Sequence, residues 1–261
     1  MKQLSEFKTN IQFLLTDIDD TITTHGHLSA QAYSALEKLK KSGVHVIPVT
    51  GRPAGWCDLI ARFWPVDAVI GENGGLYYRY FHNKMHRWNF SDEETLKNNQ
   101  TKLKIIADEI KQKIPHAAIS ADQFCRVYDL AVDFCEDIPR LSDKEIESIV
   151  KVFHQHGATA KVSSIHVNGW FGNFNKVTTA KLLLSTEFNL SESDILEKCA
   201  YVGDSPNDEP LFENFEHTFG VANINNFVSR MQYLPQYISK SESGQGFCEI
   251  VDQILRVNSQ T

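Results

Sequence analysis

The sequence predicts an α/β protein, a parallel sheet with helices on both faces, interrupted by an inserted α+β unit. Three observations carry this. Short apolar runs alternate with capped amphipathic segments up to about residue 82. Between 83 and 170 the pattern changes to long helices and separate strand-like runs. From 171 to the end the strand–helix alternation resumes. One α/β core drawn from 1–82 and 171–261, with a cap inserted at 83–170, is the expected organisation.

Each element has a local reason. "IQFLLT" (11–16) is apolar and rich in strand formers. Ser29 can cap a helix to about Ser42, with Tyr33, Leu36 and Leu39 on one face and Gly43 as a stop. "VHVIPVT" (44–50) reads as a strand, a helix follows Pro53, and "DAVIG" (67–71) is a third strand. "FWP" (63–65) is expected in the core. "ENGG" is a turn leading into a strand, "LYYRY". In the cap, Ser91 and Glu94 form a capping-box pattern for a helix over 91–114. "RVYDLAVDFCE" (126–136) alternates like a half-buried strand, 142–157 is a capped helix, and 159–167 is one strand. The core resumes with a helix at 176–188, strands at 198–203 and 217–223, and a last helix through "FCEIVDQILRV".

Composition narrows the function. The chain of 261 residues has a net charge of −7, which disfavours a nucleic-acid partner. No apolar run can span a bilayer and the N-terminus lacks a signal-peptide core, so no membrane partner is expected. The five cysteines have no CxxC spacing, which argues against a disulfide framework or a zinc site and fits a reducing, cytoplasmic setting.

In an open α/β sheet the reactive crevice lies beyond the carboxyl ends of the strands. Four polar clusters fall there or at a helix start facing it: "DIDDT" (17–21), "TGR" (50–52), Lys176, and "GDSPND" (203–208). Asp17, Asp19, Asp204 and Asp208 together would need a cation, and an oxygen-rich site suits Mg²⁺. Thr50, Arg52 and Lys176 supply a hydroxyl and positive charge for a phosphoryl group. One carboxylate can attack phosphorus, and a second, two residues on, can move the proton. Each cluster alone is weak evidence, since acids end strands and cap helices in many folds. A lysine at a helix start opposes the helix dipole, which favours a functional role for Lys176.

These four clusters, in this order, resemble the motifs of the haloacid dehalogenase (HAD) superfamily, whose phosphatase branch carries DxDx[TV]. The cap between the second and third clusters, with "ENGG" ahead of it, is similar to the Cof-type subfamily IIB with a C2-type cap, which includes sucrose-phosphate and mannosyl-3-phosphoglycerate phosphatases. The resemblance implies Asp17 as nucleophile and metal ligand, and Asp19 as general acid/base with its carbonyl on the metal. It implies Thr50, Gly51, Arg52 and Lys176 as phosphoryl-binding, with Asn207 orienting its loop beside them. Asp204 is implied as a metal ligand, and Asp208 as supporting the metal directly or through water. The family often has Gly where this chain has Asp20, and Gly where it has Val177 after the lysine. The expected activity is Mg²⁺-dependent hydrolysis of a small phosphomonoester, such as a sugar phosphate. Phosphoryl transfer to another hydroxyl, or phospho-ligand binding without catalysis, are the alternatives. His25, His27, Asn73, Arg126, His166 and Asn168 are weaker candidates for substrate contact, and Trp170 is expected to pack at the hinge.

Overall fold

The computed structural model describes residues 1–163 and 165–260. Among these, the central sheet runs in the order β1 (Lys2–Gln3), β13 (Tyr237–Ile238), β12 (His217–Gly220), β11 (Cys199–Gly203), β2 (Phe13–Thr16), β3 (His45–Pro48), every neighbouring pair parallel. Its helices are α1 (Ala30–Lys41), α2 (Ala54–Phe63), α5 (Lys176–Glu187), α6 (Glu192–Lys198), α7 (Glu209–Asn214) and α8 (Ser243–Asn258). Alternate residues of one strand serve opposite layers, because side chains alternate across a sheet. Leu14 and Val46 pack with Leu36, Leu39, Phe247 and Ile250, while Leu15 and Ile47 pack with Ala180, Leu183 and Leu184. Both faces are therefore apolar, and only the strand ends are left for polar chemistry. No described helix is long and apolar enough to cross a membrane, and no disulfide joins the cysteines.

β4 (Val69–Gly71) extends the β3 edge through a parallel bridge from Val49 to Ile70, then forms an antiparallel sheet with β5 (Leu76–Phe81) and β6 (Lys84–Asn89). The boundary expected at 82/83 falls in the tip of that hairpin. Its strands pair over six residues, so we place the start of the cap after Asn89.

The cap holds a second sheet in the order β7 (Ala118–Ile119), β8 (Asp129–Asp133), β10 (His166–Trp170), β9 (Thr159–Val162), covered on one face by α3 (Glu93–Lys113) and α4 (Asp143–Gln155). Leu130, Val132 and Val167 face those helices. Gly169 lies on the same face, where a Cβ would come within 2.1 Å of the Phe153 ring. The opposite face carries Asp129, Asp133, His166 and Asn168, all buried.

Several local expectations change. Asp92, not Ser91, caps α3 by accepting from the Thr95 N–H, while the Ser91 N–H donates to the Tyr128 hydroxyl. β8 is shorter than 126–136 and buried at every residue, because helices cover one face and the other turns inward. The run 159–167 is two antiparallel strands that reverse between Ser163 and His166. Ser164, inside that run, lies outside the described residues. Phe63 is exposed, because α2 buries Ala54, Cys57, Ile60 and Ala61 and turns Trp56, Leu59 and Phe63 outward. Trp170 does pack where the cap rejoins the core, stacked on Phe174 at 5.6 Å.

Glu72 fastens cap to core. It follows β4 with φ +46° and is wholly buried. Its carboxylate accepts from the Ala54 N–H at the start of α2, and from the N–H groups of Val127, Tyr128 and Asp129 leading into β8. Burial, with Asp129 close by, pushes the Glu72 carboxyl up to about 7, although the Tyr128 and Val127 donors pull the other way.

Two outcomes follow from this packing. Gly169→Ala is expected to destabilise the cap by about 1–3 kcal/mol through overpacking against Phe153. Adding Phe153→Leu should recover part of the loss in urea unfolding, and strict additivity of the two changes would count against the contact. For Glu72, the folded pKa lies above the unfolded one, so the native state binds more protons between about pH 4.5 and about 7. Its contribution to stability therefore falls as pH rises through that window. Glu72→Gln should remove that component of the slope, and identical pH–stability profiles for the two proteins would show that the carboxyl does not titrate there.

Candidate active site

The carboxyl ends of β2 and β11 are adjacent in the ladder, so their following residues emerge side by side. Asp17 continues β2, its N–H donating to the Val202 carbonyl at 2.9 Å. Asp204 follows β11 directly. Asp17, Asp204 and Asp208 each place a carboxylate oxygen within 4.8 Å of the others. Lys176, at the first turn of α5 behind its Asn175 cap, is buried and enters the same space. Its Nζ lies 2.8 Å from Asp17 Oδ1 and 3.3 Å from Asp208 Oδ1.

The electrostatics are those of a site short of positive charge. Burial pushes the Asp17 carboxyl up to about 7; Lys176 opposes this, and Asp208 and Asp19 add to it. Burial, then Asp208 and Asp17, raise Asp204. Burial disfavours the Lys176 charge, but Asp17 and Asp208 outweigh it and hold the ammonium charged. One buried cation thus faces three carboxylates. A divalent ion with oxygen preference fits the remaining deficit, since the converging donors are all carboxylate oxygens.

Asp208 is used differently from Asp17 and Asp204. Oδ1 accepts from the Tyr201 hydroxyl at 2.5 Å and from Lys176, and Oδ2 accepts from the N–H groups of Asp204 and Ser205. Four donors fill its lone pairs, so it braces Lys176 and the 204–205 loop. It folds directly over Gly203, where a Cβ would meet its Cγ at 2.5 Å.

Around the carboxylates the loops lock together. Thr50 is buried, and its hydroxyl accepts from the Arg52 N–H at 3.0 Å. Gly51 lies against the Asn73 side chain, whose buried Nδ2 has no partner. Arg52 grips Asp19 through Nε and Nη2, donates from Nη1 to Glu136 of the cap at 3.1 Å, and lies 4.4 Å over the Trp56 ring. Asp19, Gly51, Arg52, Asn207 and the cap's His166 and Asn168 line a cavity of about 30 Å³ above Asp17 and Asp204. His25 and His27 are exposed and do not line it.

The two departures from the family pattern find local explanations. Asp20 has φ +56°, a conformation that glycine adopts freely and Asp tolerates. Its carbonyl accepts from Asn223 Nδ2 at 3.0 Å, which fixes the turn. Val177 packs into the apolar layer with Ala180 and Leu211, not into the cavity.

Some functional neighbours were not anticipated from the sequence. The Asn223 amide also donates to Asp204 Oδ2 at 3.1 Å, and Thr21 donates to Asp204 Oδ1 at 3.3 Å. Asn223 follows the β12 strand end, so the rule that picked out the four clusters could have found it. Tyr201 sits inside an apolar strand and reads as core. Glu72 reads as a turn residue and Glu136 as the end of the 126–136 strand, and only the closure of cap on core reveals their partners.

The fold is shared with solved structures. The structure of Thermoplasma acidophilum 0175 superposes with a TM-score of 0.74 at 16% identity, covering 94% of this chain and 99% of that one. A HAD/COF-like hydrolase from Plasmodium vivax gives 0.71 at 15%, covering 97% and 98%. The sucrose-phosphatase of Synechocystis, solved with sucrose and phosphate, gives 0.63 at 16%, covering 94% and 98%. No curated protein sequence matches the chain. The family model of the haloacid dehalogenase-like hydrolases matches residues 14–163, more than half of the chain, and the chain belongs to that family of enzymes.

Proposed function

We propose that this hydrolase is a Mg²⁺-dependent phosphatase acting on a small phosphomonoester, with a sugar phosphate as substrate. The observation that carries the reading is the buried Lys176 ammonium held between Asp17 and Asp208, beside Asp204. Lys176 together with a bound cation would hold Asp17 ionised against the burial that pushes its carboxyl up to about 7, and would offset its repulsion of an anionic phosphoryl group. The sucrose-phosphatase neighbour, solved with sucrose and phosphate, supports the substrate class.

Asp17, Asp204 and the Asp19 carbonyl would hold the ion, with Asp208 reaching it through water because its own oxygens are occupied. The bound ion supplies charge neutralisation of the phosphoryl oxygens and of the attacking carboxylate. Thr50, the Gly51 backbone and Lys176 hold the phosphoryl group, with Arg52 and Asn207 beside it. An Asp17 oxygen attacks phosphorus as the bond to the leaving oxygen breaks. Asp19 gives that oxygen its proton, and the alcohol departs. Asp19 then takes a proton from water, whose oxygen attacks phosphorus and returns Asp17 as a free carboxylate. A cavity of about 30 Å³ has little room beyond a water-sized group, so the cap must shift to admit the alcohol portion and then exclude water.

Asp17→Asn is expected to lower turnover of an aryl phosphate by about 10³-fold or more, since it removes the nucleophile. Chelation should abolish wild-type turnover and Mg²⁺ restore it. Phosphate released in equal amount to the alcohol identifies hydrolysis, whereas a phosphorylated acceptor identifies transfer. Undiminished Asp17→Asn turnover would sink the mechanism. Separately, Lys176→Met leaves the buried Asp17 carboxylate without its cation, while Asp208 keeps three neutral donors, and should cost about 3–5 kcal/mol of stability without metal. Mg²⁺ should recover part of that in thermal unfolding, and a Mg²⁺-independent loss would mean that the carboxylates do not hold the ion.

A further inference from the structure

Resting on the phosphatase reading, we propose that the cap rejects alcohol portions bearing a second negative charge and accepts neutral, hydroxylated ones, with Glu136 as a specificity-determining residue. The charges lining the cavity decide this. Two arginines line it, Arg52 from the core and Arg126 from the cap. In this closed arrangement both are charge-paired with carboxylates, which hold most of their N–H donors. Arg126 is buried, gives Nε and Nη2 to Asp122, and divides Nη1 between Asp129 and the Gly51 carbonyl. Arg52 gives Nε and Nη2 to Asp19 and Nη1 to Glu136, with one face covered by Trp56. Asp122, Asp129 and Glu136 from the cap, joined by Asp19 whenever it is ionised, answer two guanidinium groups.

The polar cap groups left for a ligand are uncharged or already paired. Asn168 gives Nδ2 to Asp129. His166 Nε2 is buried 2.9 Å from Glu136 Oε2, so this imidazole is paired with the cap carboxylate. Lys161, opposite Asn168 in the ladder, is exposed and does not line the cavity. An incoming carboxylate would have to displace Glu136 from Arg52, and would still face Asp19 on the same guanidinium. A hydroxyl can donate to the Asn168 amide oxygen without disturbing either arginine.

The test uses the Mg²⁺-loaded full chain and two matched pairs. Glucose 6-phosphate and 6-phosphogluconate are compared by kcat/KM; 3-hydroxypropylphosphonate and 3-phosphonopropionate, which cannot turn over, are compared by calorimetric Kd. The neutral member of each pair is expected to be favoured about tenfold or more, as for an unscreened like charge a few ångströms away. Glu136→Gln removes the charge but keeps an acceptor for Arg52, and should narrow the preference about threefold or more, mainly through the acidic member's KM and Kd. Equal or better handling of the acidic members by the wild type overturns the inference. An unchanged preference in Glu136→Gln overturns the role of that residue. An aryl phosphate turned over by a protein that binds neither phosphonate also overturns the inference, while failure to hydrolyse the aryl phosphate or to bind inorganic phosphate overturns the phosphatase reading beneath it.

Discussion

The ammonium of Lys176 is the charge on which the centre depends. Three buried carboxylates converge at the ends of β2 and β11. Like charges at that spacing cannot all ionise without a cation. Lys176 supplies the one permanent cation, and pays for it by sitting at a helix start, where the backbone dipole opposes it. Asp208 then holds Lys176 on one side and the 204–205 backbone on the other. Tyr201, from the centre of the sheet, completes this brace through its hydroxyl. The position of these charges is thereby set by the sheet itself.

The cap is joined to this centre by electrostatic contacts as much as by packing. Glu72 collects backbone donors from both α2 and the approach to β8, so the start of α2 and the inner cap strand share one anchor. Arg126 adds a link to the Gly51 carbonyl, and Arg52 spans from Asp19 to Glu136. The cap sheet is consequently two-faced. One face is apolar against α3 and α4, and the other is a polar surface whose arginines are consumed by structure.

The strand–helix alternation, the interrupted core, and the caps at Ser29 and Ser142 were legible because each depends on neighbours in sequence. The core residues of the site were legible for a related reason: in a parallel sheet, the residue after an apolar strand has one place to go. The misplacements share a cause. Phe63 and the run 159–167 depended on what lies across from them, which local pattern does not state. Asp20 puzzled as sequence and is ordinary as backbone, a left-handed turn position held by Asn223.

By itself, the sequence determined the chemistry on offer: which strand ends carry carboxylates, where the hydroxyl and the cations stand, and that an insert separates the second cluster from the third. Tertiary structure alone decided how those groups are spent. Whether an arginine can meet a ligand depends on which carboxylates reach it first, and for Arg52 and Arg126 the decisive partners, Glu136, Asp122 and Asp129, come from the cap. Charge pairing depends on distance in space and on how far water is excluded, and spacing along the chain carries no record of either.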